Sequence, residues 1–245
     1  MASAFDAKKL DEAQLATFDQ DYMDAETWGY VRVNVDRDFP AGEFRFLDVG
    51  GGNGKFADRL LAQYPRCSGT VLEPSELLLG KNQPDARKRL VCAAIEDAAG
   101  RIEGPFDLIC LNLLLHHLVA GSYRRTQANM RTTLRLCRGW LGPRGRLSIF
   151  ENIYNGRWLD SFPSRAIFHL TSSRLLAPWA GRLGANTAGV GVCFQSSRQW
   201  KHLLRDVGLR VVQYAEDSPW DPPWYQRALL QIDEIRTGHL WCKAV

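Results

Sequence analysis

The chain has 245 residues, 45% of them hydrophobic and 24% charged, with a formal net charge of +4. That length suits one α/β core, because single cores grow to about 250 residues before chains split, and that balance excludes a disordered chain. The longest apolar run, Leu108 to Leu118, is broken by Asn112, His116 and His117 and falls well short of the ~20 residues a bilayer span requires.

From Lys9 to Met23 the apolar positions Leu15, Phe18 and Tyr22 recur at helical spacing, which predicts an amphipathic helix. Trp28 to Val35 is ambiguous, since Val31, Val33 and Val35 alternate without a visible hairpin partner. Pro40 and Gly42 mark a boundary. Strand, turn and helix then repeat. Strands are predicted at Phe44 to Val49, Ser68 to Leu72, Arg89 to Ala93, Phe106 to Leu111 and Gly145 to Phe150. Helices are predicted at Lys55 to Tyr64, Pro74 to Leu79 and Thr126 to Leu141, the last ended by Gly142-Pro143. Such alternation implies a parallel sheet with right-handed crossovers. Residues 152–195 interrupt the rhythm, with a helical pattern from Trp158 to Trp179 and a glycine-rich loop from Gly181 to Gly191. A helix at Ser196 to Val207 and strands at Leu209 to Ala215 and His239 to Ala244 close the chain.

The N-terminus turns charged at Asp6, without the basic region and apolar stretch of a secretory signal, so a cytoplasmic location is expected. The six cysteines show no CxxC spacing and read as reduced packing residues. No clustered ligand spacing suggests a metal site. Arginines at 124, 125, 131, 135, 138, 144 and 146 crowd one stretch, either as a solvated helix face or as a phosphate-binding stripe.

Chemistry concentrates at Asp48-Val49-Gly50-Gly51-Gly52-Asn53-Gly54, an apolar strand ending in a carboxylate and alternating glycines. Glycines let the backbone approach a ligand closely, and the helix that follows aims amide groups at it. A dinucleotide fingerprint needs a third glycine where Lys55 stands, and no P-loop motif occurs. Asp48, Gly50, Gly52 and Gly54 instead make DxGxGxG, and here the sequence resembles the class I S-adenosylmethionine-dependent methyltransferases. The segment Asn112-Leu113-Leu114-Leu115-His116-His117-Leu118 is similar to the LHHL stretch of their small-molecule members. The [DNS]PP[YFW] motif of nucleic-acid amino-methylating enzymes is absent from the sequence.

The resemblance runs most closely from about Phe44 to Glu151. It implies a Rossmann-like fold with a seven-stranded, mostly parallel sheet of order 3-2-1-4-5-7-6. It implies one domain over 1–245, with an N-terminal lid segment 1–40 and a substrate-lid insertion 152–195. It also implies S-adenosyl-L-methionine as cofactor, released as S-adenosyl-L-homocysteine. Asp48, Gly50, Gly52 and Gly54 would hold it, with Glu73 and Pro74 at the ribose, Ile95 and Glu96 in place of the usual adenine-binding Asp, and Asn112 by the methionine part. His116, His117 and Glu151 become candidate catalytic residues, since imidazole beside a carboxylate serves as a general base. Tyr22, Trp28, Trp158, Phe162 and Phe168 are aromatic candidates for contact with substrate. In length and aromatic content the chain is also similar to the toxoflavin-type azapteridine N-methyltransferases, which implies a planar heteroaromatic metabolite methylated on a ring nitrogen, as in toxin or natural-product biosynthesis. Three alternatives stay open: an O-methyltransferase using a His and Glu base, an RNA methyltransferase using the arginine stripe, and a cofactor-binding protein without catalysis.

Overall fold

Seven strands hydrogen-bond in the order β3-β2-β1-β4-β5-β7-β6. They are β1 (Arg45–Val49), β2 (Ser68–Glu73), β3 (Lys88–Cys92), β4 (Phe106–Asn112), β5 (Leu141–Gly156), β6 (Leu209–Glu216) and β7 (Ile232–Ala244). The computed structural model describes residues 5–8, 14, 19, 23–173, 175, 177 and 187–245. β1 to β5 run parallel, while β7 is antiparallel to both β5 and β6. Among the described residues the helices are α1 (Ala25–Asp38), α2 (Lys55–Gln63), α3 (Glu76–Leu79), α4 (Tyr123–Trp140), α5 (Phe162–Ser172), α6 (Ser197–Asp206) and α7 (Trp224–Leu229). None among the described residues is long and apolar enough to cross a membrane. This is the expected Rossmann-like sheet.

The inner strands are buried on both sides, so they read as apolar runs rather than alternating ones. Leu47, Val49, Ile109, Leu111, Leu147 and Ile149 turn to one face, where Met130 and Leu134 of α4 and Trp200 and Leu204 of α6 pack. Phe46, Val71, Leu108 and Cys110 turn to the other, against Val31 and Val35 of α1 and Leu60 and Leu61 of α2. Each fully buried aliphatic side chain contributes roughly 1.5–3 kcal/mol. Helix starts are marked by caps: Asp24 accepts from Thr27 N–H, Ser122 from Arg125 N–H, and Ser196 with Gln199 forms a capping box on α6.

Several predicted boundaries move. The valine alternation at 31, 33 and 35 belongs to helix α1, where Val31 and Val35 are buried one turn apart and Val33 is exposed. The fourth helix starts three residues earlier than predicted, on the Ser122 cap, and the chain passes from Trp140 directly into β5 without a Gly-Pro turn. β5 extends to Gly156, beyond the predicted end at Phe150, and β7 begins at Ile232 rather than His239, because these two strands pair antiparallel from Leu147↔Cys242 to Gly156↔Ile232. The helix predicted from Trp158 is shorter and runs from Phe162 to Ser172, with the bulk of its predicted C-terminal part outside the described residues. Gly181 of the glycine-rich loop and nearly all of the helix predicted at Lys9 to Met23 also lie outside them. Helix α7 carries no buried residue and was not expected.

Candidate active site

The turn from β1 to α2 carries the glycines. Gly50, Gly52 and Gly54 adopt positive φ, and Gly54, at +77°, caps α2 without a side chain. A β-carbon at Gly54 would also collide with Asn82 Oδ1, so both its backbone conformation and its surroundings favour glycine. Gly51, outside the DxGxGxG spacing, is needed for a different reason: a β-carbon there would lie 2.6 Å from Asp48 Oδ2 and 2.8 Å from Val71.

Glu73 ends β2 beside this turn. One carboxylate oxygen accepts the Gly52 N–H at 3.1 Å and the other the Ser75 N–H at 2.9 Å. Burial raises its pKa and those two amides oppose the rise. Pro74 follows on the surface, and Ile95 and Glu96 form a short 3₁₀ turn after β3, so the three strand ends β1, β2 and β3 bring their candidates to one edge. That edge, outside the carboxyl ends of the strands, is where open α/β sheets bind ligands.

Asp48 sits beneath the turn, fully buried. Burial first, and then the nearby Glu73 charge, push its carboxyl up to about 7, against Lys88 and Asn112, which lower it. Asn112 ends β4 close enough to act on Asp48. Yet neither side chain completes a hydrogen bond of normal geometry among the described residues. Buried polar groups are normally paired, so these atoms indicate a ligand-facing floor.

Beyond Asn112, a 3₁₀ turn at Leu115–His117 lifts both histidines to the same edge. His116 Nδ1 lies 2.6 Å from Glu151 Oε2, and Glu151 Oε1 accepts the Leu115 N–H at 2.6 Å. Both side chains are buried. Glu151 is mid-strand rather than after strand five as expected, but β4 ends opposite Phe150, so Glu151 still stands at the edge. His117 differs from its neighbour: burial and then His116 hold its pKa well below the usual imidazole range, which keeps it neutral.

An aromatic wall adjoins His116 that the sequence did not indicate. Phe194 packs on His116 at 4.9 Å, and Tyr154 stacks on Phe194 at 4.4 Å with the rings 12° apart. Trp220 meets Tyr154 edge-on at 6.3 Å. The insertion returns to the sheet here, since Tyr154 N–H donates to the Gln195 carbonyl and Cys193 N–H to that of His116. The aromatic residues singled out from sequence are placed elsewhere. Trp28 packs on Phe56 under Arg59, Phe168 is buried against Tyr123, Trp158 is exposed, and Phe162 begins α5. Tyr22 lies outside the described residues. Among the described residues no group of three or more His, Cys, Asp or Glu converges as a metal site.

A family model for a methyltransferase domain matches residues 47–147, the stretch that holds the glycine turn, Glu73, Asn112 and both histidines. Residues 47–147 thus form a methyltransferase domain. No curated protein matches the chain in sequence. In structure, it is similar to an S-adenosylmethionine-dependent methyltransferase of Leishmania major, at 18% identity and a TM-score of 0.56 over 86% of this chain and 69% of that one. It is also similar to the mitomycin 7-O-methyltransferase MmcR, at 18% identity and TM-score 0.53 over 89% of this chain and 56% of that one. Coclaurine N-methyltransferase, bound to N-methylheliamine and S-adenosylhomocysteine, aligns at 13% identity and TM-score 0.58, covering 92% of this chain and 76% of its own. At these identities the likeness shows the fold.

Proposed function

We propose that the enzyme transfers the methyl group of S-adenosylmethionine to a small planar heteroaromatic metabolite, at an atom that loses a proton as it is methylated. The observation that carries this reading is the buried pair of His116 and Glu151 at the carboxyl edge of the sheet, with Phe194 packed on His116 and Tyr154 stacked behind it.

The cofactor's sulfonium supplies an electrophilic methyl group. Glu73, held beside Gly52, is the acceptor-only group suited to ribose hydroxyls, and the unpaired amide of Asn112 suits the polar end of the amino acid. With Glu151 accepting the Nδ1 proton, His116 presents Nε2 as its basic nitrogen and takes the proton that the acceptor releases. Alignment of acceptor and methyl group supplies about 7–11 kcal/mol of the barrier, and the aromatic wall, in which His116 and Tyr154 take the faces of Phe194, offers its edge to a flat ring. A ring N–H or an aromatic hydroxyl uses such a base; a ring nitrogen that carries no proton does not. Either acceptor is at home in natural-product or toxin assembly, the setting that the resemblance implies.

Among the described residues, four arginines of the basic stripe are engaged within the chain: Arg125 with Asp6, Arg131 with Asp206, Arg138 with the Val245 carbonyl, and Arg146 with Asp38. This supports a small-molecule acceptor over RNA. Incubation with labelled S-adenosylmethionine and a panel of planar heteroaromatics bearing N–H or O–H groups tests the proposal, with the methylated atom identified by NMR. Label appearing on RNA, and on none of the ring compounds, would overturn it.

A further inference from the structure

Asp19, which precedes α1, stands against the outer side of the cofactor turn. One carboxylate oxygen accepts from the Asn53 side-chain amide at 2.9 Å and the other from the Lys81 ammonium at 2.8 Å. These partners come from separate connections, Asn53 from the turn between β1 and α2 and Lys81 from the residues after α3. Beside Lys81, Asn82 donates its amide to the Gly52 carbonyl at 2.9 Å and to the Leu79 carbonyl at 3.1 Å. Two neighbouring residues thus grip the glycine turn, one directly and one through Asp19. The same N-terminal chain is fastened elsewhere: Arg59 of α2 donates to the Met23 carbonyl, while Lys8 donates its ammonium to the carbonyls of Ser172 and Val190 and its backbone N–H to that of Val119. Val119 lies two residues beyond His117, on the acceptor side of the site.

We propose that Asp19 is a positioning residue for the cofactor turn: it ties Asn53 to Lys81 and holds the Gly52–Gly54 bend in its binding shape. The proposal rests on the S-adenosylmethionine reading of the site. A turn this rich in glycine loses much conformational freedom on ordering, and a ligand that must order it binds more weakly than one that finds it shaped. The Asn53 and Lys81 contacts keep the Asp19 carboxyl below the usual carboxylate range, so the clamp is charged at neutral pH. The Asp19 and Lys81 side chains are 37% and 39% exposed, so the ion pair itself is screened and the effect comes through ordering of the turn.

Two measurements on the full chain test this. The first is calorimetric binding of S-adenosylhomocysteine to the wild type, Asp19→Asn, Asp19→Ala and Lys81→Ala, each checked for an unchanged melting profile. Asp19→Ala is expected to weaken binding about tenfold, and Asp19→Asn, which keeps an acceptor for Asn53, by less. The second is hydrogen exchange at the backbone amides of Gly52 to Gly54, with and without S-adenosylhomocysteine. The ligand is expected to protect the wild type and to protect Asp19→Ala much less. Wild-type affinity together with wild-type protection in Asp19→Ala would overturn the proposal. No binding by the wild type would instead remove the cofactor reading, and the clamp with it.

Discussion

The imidazole of His116 and the carboxylate of Glu151 meet at 2.6 Å across two strand ends, with the second Glu151 oxygen taken by the Leu115 N–H. Each oxygen therefore has a partner, and the pair holds the ring in place. His116→Ala is expected to lower kcat by 10² to 10⁴-fold, the usual yield of general base catalysis, while leaving S-adenosylhomocysteine affinity unchanged. Steady-state kinetics with calorimetry as control checks this. A loss of about tenfold or less would mean that the acceptor needs positioning and no base.

Glu73 holds the cofactor turn through Gly52 and faces the site with a buried carboxylate. Glu73→Ala is expected to weaken S-adenosylhomocysteine binding by roughly 1.5–3 kcal/mol, the scale of hydrogen bonds to a charged group. Glu73→Gln, which keeps one acceptor oxygen, should fall between this variant and the wild type by calorimetry.

Phe194 lies between His116 and Tyr154, so its loss should act on the acceptor and spare the cofactor. An aromatic pair is worth about 0.5–1.5 kcal/mol beyond burial. Phe194→Leu is accordingly expected to raise KM for the acceptor by about 2- to 12-fold with unchanged S-adenosylhomocysteine affinity. An equal change in both affinities would assign Phe194 to core packing.

Stability should depend on pH through Asp48. Its carboxyl is raised to about 7 by burial and by Glu73, so between its ordinary value of 3.8 and about 7 the folded chain holds a proton that the unfolded chain releases. Stability from this group is therefore lost as pH rises through that window, by at most about 4 kcal/mol. His239 acts in the opposite direction: burial lowers its pKa to about 3, so its contribution is lost as pH falls below 6.5. Denaturation of Asp48→Asn across pH 4 to 8 is expected to lack the alkaline decline of the wild type. An identical decline in the variant would assign it to another group.

The geometry of the glycine-turn half of the candidate site was legible in the sequence because its parts are local. A strand, a glycine turn and a helix follow one another from Phe46 to Gln63, and Glu73 needs only the next strand to reach the same edge. The resemblance added the sheet order, and with it the meeting of His116 and Glu151, 35 residues apart in the chain. Gly51, Asn82 and Asp19 escaped notice because glycine spacing says nothing of what presses on the turn from outside.

Amino-acid order by itself determined where the chain alternates strand and helix, because apolar period and turn residues act over a few positions. Tertiary structure decided the rest. β5 continues past Phe150 only because β7 supplies an antiparallel partner. Val31 and Val35 are helical because both pack against one face of the sheet. Phe194 reaches His116 only because the insertion returns to pair beside Tyr154. Each of these contacts joins residues far apart in the chain, where local propensity is too weak to choose between conformations and burial against a partner makes the choice.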